Sequence, residues 1–472
     1  MTNFFSKFSG YKSSFWILNF LQMLEIFAYQ NIVLQMSIYI AQKDVPGGLQ
    51  WDHTLKGIVF FVWALAQRLV PLFAGYFSDR FGYKITMLTS FVLVFLGYWV
   101  LGTQRVFEPF LLGAVILGIG SGLFKPSLQG AMSHSLGKSN HTFGWSIYFM
   151  LFNLAVLLAI PFSNFIKTHG WNYIFLASAA VALLNFLCIF FIYNEKKVIT
   201  KKERTTDKIH YWKKLFRPQV MLFIIIMSGF TIIYMQFYET LPNFIYDWVD
   251  TSAIVKSLSL PRAFLIDTQL GTMISYEWLY ALNTLMIVAL VSVFGWLMRN
   301  QMPLKSLIIG ICFSTAGLVF CGNSYNGLYF IIGIAIYTLG EMITNPNFTA
   351  YIESLAGEND RGTHLSFLNI SFAVGLGGGS LLGGWLYNNF GERAALASRY
   401  LSEKFALDIS PKTSLQYMRN NFEMTEMQIR DLLWNTYHPY TIWYIFLGVG
   451  IVSAVALYFY YRKYGKSPKK EA

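Results

Sequence analysis

Apolar stretches long enough to cross a bilayer recur along almost the whole chain, and that recurrence limits the fold more than any other feature. A hydrocarbon core about 30 Å thick needs roughly 20 mostly apolar residues per helical crossing. Runs of this kind lie near 14–39, 54–77, 84–103, 109–134, 143–166 and 171–193. They resume near 219–245, 275–299, 304–322, 326–354, 363–389 and 440–461. Backbone groups inside lipid must be satisfied within their own segment, so the runs are helices. The expected fold is all-α: a polytopic membrane protein of twelve transmembrane helices in two six-helix bundles. Charged residues are only 13% of the 472, about half the share of roughly 25% usual in soluble domains. The first run is too long for a cleaved leader, so it reads as a span.

The formal charge of +12 follows membrane topology rather than a nucleic-acid footprint. With the N-terminus inside, most Lys and Arg fall on the cytoplasmic side, as the positive-inside rule requires. The basic segment 194–218 and the tail after Tyr461 then face anionic headgroups. No soluble basic domain carries interleaved stacking aromatics, so nucleic acid is not an expected partner. Cys188, Cys312 and Cys321 fall within spans without C-x-x-C spacing, so neither a disulfide framework nor a metal site is expected. No cofactor is implied.

The same basic segment separates six spans from six. This predicts an N-terminal bundle over 1–193, a cytoplasmic linker over 194–218 and a C-terminal bundle over 219–472, the plan of transporters with parallel halves. A faint repeat agrees: KPSLQGAMSHSLG (Lys125–Gly137) ends span 4 and NPNFTAYIESLAG (Asn345–Gly357) ends span 10. Pro126 and Pro346 each precede the terminal glycine by eleven residues, and proline lets a membrane helix bend. The stretch 389–439 is a polar insertion outside the membrane, with ASRYLSEKF and EMTEMQIRDLLW at helical spacing. It reads as a cap, or as a partner or substrate antechamber.

Ionisable groups within spans mark function, because each is costly in lipid unless it faces a cavity or a partner. Glu25, Lys125, Glu239 and Glu341 stand out, with Arg68 as a fifth whose stem can snorkel. Gln22, Glu25 and Tyr29 form one polar stripe on span 1. Lys125 needs an anion, and Glu25 is the expected one, either as a working pair or as a structural lock. Glu341, in the other half, would suit the amine of a zwitterionic solute whose carboxylate meets Lys125. Carboxylates in a low-dielectric cavity hold protons more tightly than in water, so these acids are expected proton carriers. Glu239 reads as a proton site, half of an outer gate, or a solvated helix end.

The loop GYFSDRFGYK (Gly75–Lys84) between spans 2 and 3 resembles the signature of the major facilitator superfamily, roughly G-x-x-x-D-R-x-G-x-K. The resemblance implies that Gly75, Asp79, Arg80 and Gly82 latch the halves during rocking. GIGSGLFKP (Gly118–Pro126), SIYFMLFN (Ser146–Asn153) and GEMITNP (Gly340–Pro346) are similar to motifs of the proton-dependent oligopeptide transporters. YEWLYALN (Tyr276–Asn283) and MQFYETLPNF (Met235–Phe244) match more loosely. The resemblance runs from span 1 to span 11. It makes Lys125, Asn153 and Glu341 cavity residues for a peptide-like solute, and Tyr29, from the span 1 stripe, is expected to bind substrate beside them.

The chain departs from that family in span 1, where the family's E-x-x-E-R-F-x-Y-Y appears as QMLEIFAYQ (Gln22–Gln30). Gln22 replaces an acid, Ile26 the arginine and Gln30 the second tyrosine. Proton coupling then rests on Glu25, Glu239 or Glu341. The expected function is proton-coupled symport of di- or tripeptides or similar zwitterions across the inner (plasma) membrane, with both termini cytoplasmic. Transport of an amino acid or drug, and a non-transporting receptor, are the other readings. An enzyme is not expected: neither H-E-x-x-H nor G-x-S-x-G occurs.

Overall fold

The computed structural model describes residues 11–135, 141–194, 217–268, 270–298, 301–355 and 361–465. The apolar runs fold as helices α1 (Ser13–Ala41), α2 (His53–Leu69), α3 (Pro71–Phe81), α4 (Tyr83–Thr103), α5 (Phe107–Ser135), α6 (His141–Lys167) and α7 (Trp171–Phe191). After the linker come α8 (Pro218–Trp248), α10 (Tyr276–Met298), α11 (Pro303–Gly322), α12 (Gly327–Ser354), α13 (Arg361–Leu386) and α17 (Ile442–Tyr464). Among the described residues, eleven helical segments are long and apolar enough to cross a membrane. The twelfth expected span, 275–299, is helical as α10, with a shorter apolar run at Tyr276–Leu290.

Local chemistry sets the breaks. The second expected span is two helices, because the chain ends α2 at Leu69 and restarts with Pro71 in the first turn of α3, where the missing N–H is no loss. Gly82, at φ 89°, turns the chain from α3 into α4. Lys84 donates to the carbonyls of Phe190 (3.1 Å) and Tyr193 (2.6 Å) at the end of α7, satisfying carbonyls that a helix end leaves open. Pro126 and Pro346 both lie inside continuous helices. Of the basic linker only residues 194, 217 and 218 are described.

The chain divides into two compact units. One comprises Met1–Met36 and Val62–Asp207; the other comprises Ser37–Phe61 and Lys208–Ala472. In the second unit, α13 lies against α8 along a seam of small residues. A Cβ on Gly375 would meet the Ser228 carbonyl at 2.6 Å, and one on Gly379 the Ile232 carbonyl at 3.0 Å. That approach lets Thr231 Oγ1 donate to the Ser371 carbonyl and Gln236 Nε2 to the Gly379 carbonyl, each at 3.0 Å. Small residues at membrane helix contacts work in this way.

Two features outside the spans were not expected. A short helix α9 (Ser252–Ser257) leads into a hairpin of β1 (Leu265–Thr268) and β2 (Gly271–Ile274), paired antiparallel from Leu265↔Ile274 to Thr268↔Gly271. The insertion contains three helices, α14 (Arg393–Phe405), α15 (Pro411–Asn421) and α16 (Glu426–Tyr437), of which α15 had no expected counterpart. Leu401, Leu415, Met418, Ile429 and Leu433 on these helices are buried. A capping box between Thr425 and Gln428 starts α16, satisfying its first free N–H groups. A π turn at Tyr387–Gly391 joins α13 to the insertion.

Candidate functional site

In the first unit, polar side chains converge around Glu25 on α1. Glu25 is half-buried and interacts electrostatically with Lys125 of α5, which in turn feels Arg68 of α2. Lys125 is exposed although it sits in the middle of an apolar helix. Among the described residues no contact ion pair joins it to Glu25, so the expected pair acts at a distance. Tyr29, one turn after Glu25, donates to Gln67 Oε1 at 3.3 Å and packs its ring on Trp63. Tyr98 of α4 and Tyr148 of α6 lie close to Glu25, and the Tyr148 hydroxyl is beside Gln22 and Gln129. Asn153 turns its amide onto its own helix, donating to the Phe149 carbonyl at 2.8 Å.

In the second unit, Glu341 of α12 is 4% exposed and bound by neutral donors. Asn283 Nδ2 of α10 donates at 2.9 Å and Asn345 Nδ2 at 3.3 Å. Asn283 also reaches Thr338 Oγ1 at 3.0 Å, and the Tyr234 hydroxyl stands nearby. Among the described residues no Lys or Arg pairs with Glu341. A buried carboxylate without a cation is held by hydrogen bonds alone, so it suits a cationic ligand.

Glu239 of α8 is fully buried, which excludes a solvated helix end. Its Oε1 lies 3.9 Å from Nζ of Lys56 on α2, itself fully buried. Lys56 Nζ donates to Ser37 Oγ (3.2 Å), the Glu239 carbonyl (3.1 Å) and Asn243 Oδ1 (3.0 Å). Sequence reasoning missed Lys56. Three residues into a span it looks like a headgroup-seeking lysine, and its acid partner is far away in the chain. The latch residues are partly described. Arg80 is exposed beside the Phe81 ring and Gly82 makes the turn into α4; Gly75 and Asp79 lie in α3, and the surroundings of both fall outside what is described.

A charged network ties the insertion to neighbouring helix ends. Arg393, at the start of α14, reaches Asp44 (3.7 Å) and Glu426 (3.5 Å), and its N–H meets Asp247 Oδ2 at 3.4 Å. Asp247 also accepts from the Tyr387 hydroxyl (2.7 Å) and from Gln42 Nε2 (2.5 Å). Arg430 of α16 pairs with Asp250 at 2.8 Å and lies over the Tyr325 ring. Burial pushes the Asp250 carboxyl up, but hydrogen bonds from Ser252 and the Arg430 charge outweigh it and hold the group below its usual range.

The sequence profile of the Major Facilitator Superfamily matches residues 16–259 and 251–398. Multidrug resistance protein MdtH of Salmonella typhimurium is 20% identical over 344 residues, covering 72% of this chain and 79% of MdtH. The uncharacterized MFS-type transporter YttB of Bacillus subtilis is 25% identical over 353 residues, covering 73% and 79%. Among solved structures, a variant of the peptide transporter POT in complex with alafosfalin superposes with a TM-score of 0.66 at 16% identity, covering 95% of each chain. A variant of nucleoside transporter NupG superposes with a TM-score of 0.67 at 12% identity, covering 95% of this chain and all of that one. At such identities the structural likeness shows the fold. Profile, fold and buried intramembrane charges agree: the chain is a multi-pass transporter and belongs to the major facilitator superfamily.

Proposed function

We propose that the chain moves di- or tripeptides, or zwitterions of similar size, together with protons by alternating access. The observation that carries this reading is the division of charge: Lys125 is exposed within one unit, and Glu341 is buried in the other with no Lys or Arg paired to it among the described residues. A zwitterionic solute offers each its complement, a carboxylate for Lys125 and an amine for Glu341, with Tyr29 and Asn153 as further contacts. Glu25 carries the proton beside Lys125, and Glu239 is the second proton site, paired with Lys56. Gly75, Asp79, Arg80 and Gly82 form the inner latch. The protein lies in the inner (plasma) membrane with both termini and the 194–218 linker cytoplasmic and the 389–439 insertion outside. The bundles are 1–193 and 219–472. A second reading, movement of a drug-like solute, draws on the name of the MdtH relatives.

Uptake into proteoliposomes under an imposed proton gradient tests the proposal, with dipeptides set against free amino acids. Dipeptides should accumulate. Glu25→Gln and Lys125→Ala should each abolish accumulation and spare solute counterflow, whereas Glu341→Gln should lower both. Full accumulation by Glu25→Gln removes it as carrier, and preference for a non-zwitterionic drug would favour the second reading.

A further inference from the structure

His53 opens α2, and Glu392 follows the π turn that ends α13. Both are buried, at 0% and 2% exposure. His53 Nε2 lies 3.7 Å from Glu392 Oε1, and neither of these atoms nor His53 Nδ1 makes a hydrogen bond. Buried polar atoms without partners are rare, because each forgoes the bonds it made to water.

The backbone holds the two side chains face to face. The His53 N–H donates to Asn388 Oδ1 at 3.1 Å, and the imidazole packs edge-on against Tyr387. A Cβ on Gly57 would meet the Ser380 carbonyl at 2.5 Å, and one on Gly384 the His53 carbonyl at 2.5 Å. The start of α2 and the end of α13 are therefore in backbone contact, which keeps the two residues on facing segments. A neutral imidazole carries a single N–H, so one ring nitrogen always lacks one; a further proton gives both nitrogens an N–H, and the one on Nε2 faces the Glu392 carboxylate as a charge-assisted donor.

We propose that His53 and Glu392 together bind one proton, and that this proton fastens the first turn of the insertion to the start of α2. The proton comes from water, and no covalent bond of the protein breaks. Groups from every neighbouring element face the pair. Lys43 attracts the Glu392 carboxylate, while Asp44 and Asp52, from the loop before α2, and Asp247 of α8 repel it. Burial first, and then Lys56 and Lys43, oppose a charge on His53, and the Tyr387 hydroxyl is engaged by Asp247. Burial, together with the three acids, raises the Glu392 carboxyl well above its usual range. Lys56 interacts with Glu239, Glu392 and Asp247, so a proton at this pair loosens the hold of one of its three acids and leaves Glu239, the acid in contact with it, and Asp247.

The site rests on the proton-coupled reading above, and two measurements keep the two separable. The first is uptake against outer pH between about 5 and 8, above the ordinary carboxylate range because burial raises the Glu392 carboxyl, at fixed inner pH. His53→Gln and Glu392→Gln should each flatten the wild-type outer-pH step, and the double variant should go no further, as for one unit. The second uses the wild-type chain in nanodiscs: hydrogen–deuterium exchange of residues 388–396, corrected for intrinsic pH dependence, should be slower at the acid end. Unchanged outer-pH profiles in both single variants, or equal corrected exchange at both ends, would overturn the site. Uptake by the wild type that ignores protons altogether would instead overturn the coupled reading, and the exchange measurement would still decide the site.

Discussion

Lys56→Met removes one charge of a fully buried pair and keeps most of the apolar stem. Glu239 is then left without a cation. Its carboxylate oxygens make no normal hydrogen bond, and the neighbouring Ser380 hydroxyl is spent on the Leu376 carbonyl. Removing one partner of a buried pair costs about 3–5 kcal/mol, because the other charge stays behind. Glu239→Gln is milder. The Lys56 ammonium keeps its three oxygen partners at 3.0–3.2 Å, so the loss is that of a charged contact, about 1–3 kcal/mol. The double variant removes both charges and should be more stable than Lys56→Met alone, since neutral replacements of buried pairs are often tolerated. Thermal unfolding of the purified protein, followed by the fluorescence of tryptophans such as the buried Trp248, measures all three. The order expected is wild type, Glu239→Gln, double variant, Lys56→Met. If the double variant loses as much as the two single losses added together, the pair is not coupled and the reasoning fails.

Two further outcomes follow from the packing and the latch. Gly57→Val places side-chain atoms against the Ser380 backbone, which cannot rotate away; a stability loss of about 1–3 kcal/mol is expected, measured by the same melt, and a neutral result would mean that α2 and α13 part easily here. Asp79→Asn should slow transport with near-normal solute affinity, because it disturbs gating; lowered affinity at unchanged turnover would place Asp79 at the solute instead.

Much of the fold was legible because lipid imposes a length and a composition that any eye can count along the chain. The hairpin at 265–274 was hidden in a stretch with no apolar run to announce it, and α15 in a polar segment, PKTSLQYMRNN, whose only buried contacts are Ser414, Leu415 and Met418. Glu25, Lys125, Glu239 and Glu341 stood out as charges inside apolar runs. Lys56, His53, Glu392 and Arg393 did not, since each sits at a helix end where charge is ordinary. What makes them unusual is burial, which depends on partners far along the chain: 183 residues separate Lys56 from Glu239, and 335 separate His53 from Asn388. Asn283 belonged to a loosely matched motif, and only the folded contact shows it holding Glu341.

The seam between α8 and α13 has a consequence for how this sequence can drift. Around Gly375 and Gly379 its contact is made by backbone carbonyls, hydroxyls and one amide, with the glycines supplying the room, while Val220, Ile224 and Phe367 form an apolar cluster nearer the start of both helices. Greasiness contributes little there, so exchanging one apolar residue for another cannot repair a lost fit. The opposite side of α13 bears Val374, Leu381 and Trp385, all exposed, where any side chain soluble in lipid serves equally. Along a single helix, then, tolerance to substitution should alternate with the helical turn: near-total freedom on one side, and on the other a demand for the smallest residues that no change of partner relaxes.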